Sequence, residues 1–153
     1  MKIEFERAML EDAEAINEVQ NLSFYSDYVK YGACPGYNHT KESMERIIET
    51  AYDYKILCNG KIVGNIIVRP KENGEYYLGG LCVIPQYENL GIGQQSLTFL
   101  ECEFPNAKLW SLVTPAGSEK NHYFYEKAGF IKTGESVDCS VPLFHYTKII
   151  SMS

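Results

Sequence analysis

The sequence predicts an α+β domain built on a mixed sheet, and three observations predict it. Runs of strand-like residues gather in the middle of the chain, separated by the tight-turn signals Asn59-Gly60 and Asn73-Gly74. Stretches with helical spacing precede that cluster, and others cross over between the later strands. No repeat, low-complexity tract or linker interrupts the chain, so residues 1–153 read as one domain.

The elements follow in order. Ile3-Glu4-Phe5-Glu6 alternates as a half-buried strand does. Ala15, Ile16, Val19 and Leu22 stand at helical spacing in the stretch that begins at Asp12. From Phe24 to His39 the period gives way to tyrosines, and Gly32 and Pro35-Gly36 punctuate an expected loop. Thr40, or the competing Ser43, caps a second helix whose apolar stripe is Met44, Ile47, Ile48 and Ala51. Tyr54 to Cys58, Lys61 to Arg69 and Glu75 to Ile84 read as strands. Pro85 ends the last of these, and a helix opens near Gly91-Ile92-Gly93 and runs toward Phe104-Pro105. Lys108 to Val113 is a strand and Ser118 to Ala128 a helix stopped by Gly129. Phe130 to Asp138 and Val141 to Ile150 close the chain as a hairpin. The expected order is β-α-α-β-β-β-α-β-α-β-β.

Composition narrows the function classes. With 45% hydrophobic and 22% charged residues the chain is that of a folded protein, not a disordered one. Its 14 basic and 20 acidic side chains give a formal charge of -6, with no basic run to track a nucleic acid. An acidic surface favours cationic partners such as amines. Charges occupy Met1 to Arg7 where a signal peptide needs an apolar core, and the most apolar stretch, Ile62 to Val68, is too short to span a bilayer. A soluble, cytoplasmic protein with no membrane and no nucleic-acid partner is expected. The cysteines Cys34, Cys58, Cys82, Cys102 and Cys139 stand singly, without zinc or redox spacing, as small hydrophobes in a reducing compartment do. No metal site is expected.

The informative segment runs Leu81-Cys82-Val83-Ile84-Pro85-Gln86-Tyr87-Glu88-Asn89-Leu90-Gly91-Ile92-Gly93-Gln94-Gln95. A buried strand ends at proline, and a short loop opens a helix through two glycines. Free N–H groups and the helix dipole make such a start a site for phosphate or pyrophosphate. A dinucleotide fingerprint needs a third glycine where Ser96 stands, and the P-loop lysine is absent. A plain strand-to-helix turn with two glycines is the bland alternative.

Val83, Pro85, Tyr87, Gly91 and Gly93 together resemble the acyl-CoA-binding signature of the GNAT superfamily. Further on, Phe124-Tyr125-Glu126-Lys127-Ala128-Gly129-Phe130 resembles that family's closing motif, and the order of elements matches over nearly the whole chain. The resemblance implies a mostly antiparallel central sheet flanked by helices and splayed at its fourth and fifth strands, with acetyl-CoA as co-substrate. Backbone groups of Leu81, Cys82 and Val83 would pair with the pantetheine arm, and one N–H there would stabilise the oxyanion. The N–H groups of Glu88, Asn89, Leu90, Gly91, Ile92, Gly93 and Gln94 would hold the pyrophosphate. Gly79-Gly80 sits where a bulge could turn the strand toward the ligand, or where packing needs small residues. Two departures stand out. Glu88 and Leu90 replace residues that are usually favourable to phosphate, and Ser118 replaces the family's usual asparagine. Asn121, one face with Ser118 and Tyr125, is either its substitute or a first-turn residue bonding local backbone.

For chemistry, Tyr125 matches the family's general acid, since a phenol with pKa about 10 can protonate a leaving thiol of pKa roughly 8.5. Its alternative is packing against the cofactor. Glu75 is the nearest carboxylate to the family's base on the fourth strand, or else a solvated strand-end charge. Asp27, Tyr28 and Tyr31, among the aromatic residues after the first helix, suit a cationic amine of a small molecule or peptide, or form a lid on the core. N-acetyl transfer to a primary amine in a ternary complex is the expected activity. A catalytically silent acyl-CoA sensor is the competing class, and a thiol enzyme using Cys82 or Cys139 lacks a matched histidine. Dimers are common in this family, so a homodimer is an open expectation.

Overall fold

The computed structural model describes residues 1–32 and 37–150. Its strands are β1 (Ile3–Arg7), β2 (Tyr52–Cys58), β3 (Lys61–Pro70), β4 (Glu75–Val83), β5 (Leu109–Pro115), β6 (Ile131–Asp138) and β7 (Val141–Ile149). Its helices are α1 (Ala13–Tyr31), α2 (Lys41–Thr50), α3 (Ile92–Glu103) and α4 (Glu119–Lys127). The strands form one seven-stranded sheet in the order β1-β2-β3-β4-β5-β7-β6. Every neighbouring pair is antiparallel except β4 and β5, which run parallel. The expected element order and mixed, mostly antiparallel sheet are therefore observed.

Local chemistry explains the helix ends. Thr40 caps α2, its side chain accepting the Ser43 N–H at 3.0 Å, and Met44 and Ile48 bury the stripe. Gly32 ends α1 in the left-handed conformation at φ 73°, its N–H donating to the Tyr28 carbonyl. Helix α1 is longer than its periodicity suggests. Residues Phe24 to Tyr31, expected in a loop, are helical, because the helix is held down by its contacts on the sheet rather than by an apolar stripe. Ala15 and Leu22, expected on that stripe, are exposed. The expected turn at Pro35-Gly36, with Cys34 beside it, lies outside the described residues.

One face of the sheet carries an aromatic core. Phe5 stacks on Phe99 of α3 at 4.5 Å, Tyr54 meets Phe99 edge-on at 5.1 Å, and Tyr76 leans on Trp110 at 5.3 Å. The face toward α1 holds a buried polar network instead. Gln20 Nε2 donates to Asn65 Oδ1 at 2.7 Å, and Asn65 Nδ2 donates to Asp53 Oδ1 and to the Tyr54 carbonyl. These bonds tie α1 to β3 and β2. Burial pushes the Asp53 carboxyl up to about 7, with the Asn65 bond pulling the other way.

Candidate active site

The site begins with a failure of pairing. Strands β4 and β5 pair only at Glu75–Leu109, Tyr76–Trp110 and Tyr77–Ser111. Beyond that level β4 runs on to Val83 and β5 to Pro115 without meeting, and a wedge opens between them. On its other edge β4 keeps its pairing with β3, through a bulge. Ile67 lies opposite Gly80 and Val68 opposite Leu78, leaving Gly79 as the extra residue. A Cβ at Gly79 or Gly80 would meet protein atoms only at 3.6 Å or more, so internal packing does not require glycine there.

Past Val83 the chain makes a short 3-10 turn at Pro85–Tyr87 and enters α3. Asn89 at φ 61° and Gly91 at φ 83° are left-handed, and Gly91 is the N-cap. The first internal bond of α3 runs from Gln95 N–H to the Gly91 carbonyl, so the N–H groups of Ile92, Gly93 and Gln94 have no partner within the helix. The expected anion cradle thus has the geometry of an open helix start. Gly93 has a second role: a Cβ there would stand 3.0 Å from the Phe124 ring, so this glycine also lets α3 approach α4.

Glu88 does not face the cradle unpaired. Its carboxylate forms an ion pair with Lys120 in the first turn of α4. That pairing neutralises the feature that looked unfavourable in the sequence. Asn121 Nδ2 donates to Thr114 Oγ1 at 3.0 Å, fastening α4 to the end of β5. Tyr125 is buried, edge-on to Phe130 with ring centroids 5.5 Å apart and tilted against Tyr146. Burial raises its phenol well above the ordinary value, with the nearby Cys82 thiol adding to the effect.

Helix α1 packs on β3 and β4 along a single stripe, and this arrangement is what the sequence did not reveal. Gln20 rests on Asn65 of β3, and Ser23, whose hydroxyl donates to the Val19 carbonyl at 2.7 Å, lies near the Cys82 thiol of β4. Lys30 Nζ donates to the Gly117 carbonyl beyond β5 at 3.1 Å, with Tyr31 against the same glycine. Asp27 falls on the same stripe between these anchors and is half-buried. Burial raises its carboxyl above the usual range, while Lys30 pulls it down. Tyr28 stacks on Tyr37 at 4.5 Å, on the flank of α1 turned toward α2.

Other expectations move. Glu75 is exposed and sits at the closed, paired end of the wedge. Leu81 lies six residues further along β4, roughly 20 Å at about 3.3 Å per residue, so Glu75 is too distant to take a proton there. Burial pushes the Cys82 thiol up to about 12, and a bond and charge from Asp138 raise the exposed Cys139 thiol, so neither is poised as a thiolate. His122 stacks on Phe144 at 4.9 Å, and His39 contacts Ser43 at 3.1 Å. His145 on β7, opposite Val113, contacts Ser136 at 2.7 Å. Among the described residues no three His, Cys, Asp or Glu side chains gather as a metal site, and no helix is long and apolar enough to cross a membrane.

Comparison with known proteins bears on this arrangement. Residues 51–132, which span β2 to β6 and hence the wedge and the cradle, match the family model described as the acetyltransferase (GNAT) domain. The chain belongs to the GNAT acetyltransferase family. An uncharacterized protein of Bacillus subtilis (strain 168), YrkN, is 33% identical over 123 residues, 79% of this chain and 63% of that protein. This GNAT chain therefore spans less than two thirds of that relative. Among solved structures, the PaiA N-acetyltransferase of Thermoplasma acidophilum in complex with coenzyme A superposes with a TM-score of 0.83 at 21% identity, over 98% of this chain and 100% of that one. The ribosomal-protein-S18-alanine N-acetyltransferase of Escherichia coli gives 0.81 at 16% identity, over 99% and 96%. At these identities the likeness is one of fold.

Proposed function

We propose that this chain transfers an acetyl group from acetyl-CoA to a primary amine of a small molecule or peptide, by direct attack in a ternary complex. One observation carries the reading: β4 and β5 stop pairing after Tyr77, which opens a wedge with a free β4 edge from Leu78 to Val83 that leads into the open start of α3. The coenzyme A complex of the Thermoplasma relative supports assigning the wedge and the α3 cradle to that ligand.

In this reading the backbone of Leu81, Cys82 and Val83 pairs with the pantetheine arm, and the loop from Glu88 to Gln94 takes the pyrophosphate. Asn121 fixes α4, and with it Tyr125, relative to β5. The acceptor enters as an ammonium and is drawn to Asp27, with Tyr31 beside it. Asp27, its carboxyl raised above the usual range by burial, takes a proton from the ammonium through water. The free amine nitrogen then attacks the thioester carbonyl carbon, and an N–H of β4 stabilises the oxyanion. The C–S bond breaks, Tyr125 gives its proton to the leaving sulfur, and the second amine proton restores the phenol. The alternative of a silent acyl-CoA sensor draws on the unusual Glu88 and on the lack of an assigned base, and the Lys120 ion pair answers the first of these.

Free-thiol release from acetyl-CoA across a panel of amines tests the proposal. Asp27→Asn is expected to lower turnover of cationic amines at least tenfold while leaving CoA affinity unchanged. Gln94→Glu, at an exposed position in the first turn of α3, is expected to weaken CoA without disturbing the fold. Binding of CoA with no thiol release from any amine would favour the sensor instead.

A further inference from the structure

The polar network under α1 takes no part in acyl transfer as described above, yet it reaches from β2 to the strand behind the wedge. Asp53 on β2, Asn65 on β3 and Gln20 on α1 are 1%, 1% and 4% exposed, so they must satisfy one another. Asn65 is the hub. Its Nδ2 donates to Asp53 Oδ1 and, at 2.9 Å, to the Tyr54 carbonyl, while its Oδ1 accepts from Gln20 Nε2 at 2.7 Å. What is left over falls at the two ends: Asp53 Oδ2 and Gln20 Oε1 have no partner among the described residues.

The hub stands where it can act on the site. Asn65 lies opposite Cys82 in the β3–β4 register, directly behind the edge that β5 leaves free. Helix α1 packs on both strands, and Ser23, three residues beyond Gln20, lies near the Cys82 thiol. A carboxyl at the far end of this chain of bonds has two very different states. Neutral, Asp53 accepts its bond from Asn65 and brings no charge into the core. Ionised, it is a buried charge with one empty oxygen, which water or a movement of its neighbours has to relieve. The surrounding charges do not cancel that cost. Arg7 of β1 and Arg69 of β3 favour the ion, Asp12 ahead of α1 opposes it, and the Lys55 ammonium is engaged with Asp12 at 3.0 Å. Cys82 of β4 is a neutral thiol, α1 keeps Glu14 and Glu18 exposed, and α2 buries only Met44 and Ile48. Burial prevails and holds the Asp53 carboxyl at about 7.

We propose that Asp53 is a positioning residue for the coenzyme site. Neutral, it holds α1 and the free edge of β4 in the binding arrangement through Asn65 and Gln20, and its ionisation loosens both. Coenzyme affinity therefore falls as pH rises through about 7. The inference rests on the reading of the wedge as the coenzyme A site.

Calorimetric titration with CoA from about pH 6 to 8 tests it. A phosphate monoester of CoA also titrates, near pH 6, but it does so against every variant alike. Comparison with Asp53→Asn, which cannot ionise, isolates the carboxyl. If only the neutral form binds, the parent is expected to lose about tenfold more affinity over that range than Asp53→Asn. Gln20→Met removes the link to α1 and leaves the carboxyl buried. It is expected to keep the parent's pH-dependent stability in denaturant melts, yet to follow Asp53→Asn in its CoA titrations. A merely structural Asp53 would alter stability alone, so parent and Asp53→Asn would lose affinity in parallel. That result overturns the proposal, and so does a Gln20→Met variant that keeps the parent's CoA profile. Failure of CoA to bind the parent even at the lowest pH would overturn the wedge reading, and this inference with it.

Discussion

Tyr125 owes its proposed chemistry to its burial as much as to its phenol. Desolvation raises its pKa, so it stays protonated across the neutral and mildly alkaline range in which a thiolate must be quenched. Tyr125→Phe keeps the ring and is expected to slow single-turnover acetyl transfer about 10²–10⁴-fold with little change in CoA affinity. Equal single-turnover rates would reduce Tyr125 to a packing residue. Asp53 provides a second test at this scale. Its carboxyl is buried and raised to about 7, against an ordinary value near 3.9 when unfolded. Between those values the native state holds a proton that the unfolded state has lost, so stability falls as pH rises from about 4 through 7. Asp53→Asn removes the titration. It is expected to be more stable than the parent above pH 7, by up to a few kcal/mol, and to lose that share of the pH dependence in denaturant melts at pH 4 to 8. No difference in the slopes would place the charge burden elsewhere.

At the scale of elements, the loop before α3 and the start of α4 act as a unit, because Glu88 and Lys120 join them. The sequence presents Glu88 as an isolated departure from a phosphate-binding pattern. Its partner lies 32 positions away, a separation that no local pattern discloses. The pair should also tune the cradle. Glu88→Gln frees the Lys120 ammonium beside the pyrophosphate loop and is expected to tighten CoA several-fold at low salt. Lys120→Met should do the reverse, and both effects should shrink as ionic strength rises. Titrations that show no salt dependence for either variant would place the pair outside the field of the ligand. Helix α1 shows a related limit. Phe24 to Tyr31 contains several weak helix formers, so it reads as a loop, yet packing on β3 and β4 and the Lys30 bond to Gly117 hold it as helix.

For the whole molecule, the decisive feature is a sheet that divides. The edge of β4 from Leu78 to Val83 has no β5 partner, so its N–H groups on that side are open to exchange. Addition of CoA is expected to slow hydrogen exchange at Leu81 to Val83 and at Ile92 to Gln94 while raising the melting temperature, since a ligand of the native state stabilises it by mass action. A rise in melting temperature without protection at those residues would put the ligand at another site. The sequence by itself determined the element order, the hairpins at Asn59-Gly60 and Asn73-Gly74 and the glycine-opened start of α3, and narrowed the cap of α2 to Thr40 or Ser43. Each of these is encoded within a few neighbouring residues by turn chemistry, capping or periodicity. The family motifs were legible for the same reason, being contiguous. Only the tertiary structure decided that Glu75 stands at the closed end of the wedge, that α1 is anchored on β3 and Gly117, and that Glu88 is paired. These facts depend on where parallel pairing stops and on which side chains meet across elements, and both are set by contacts between residues far apart in the chain.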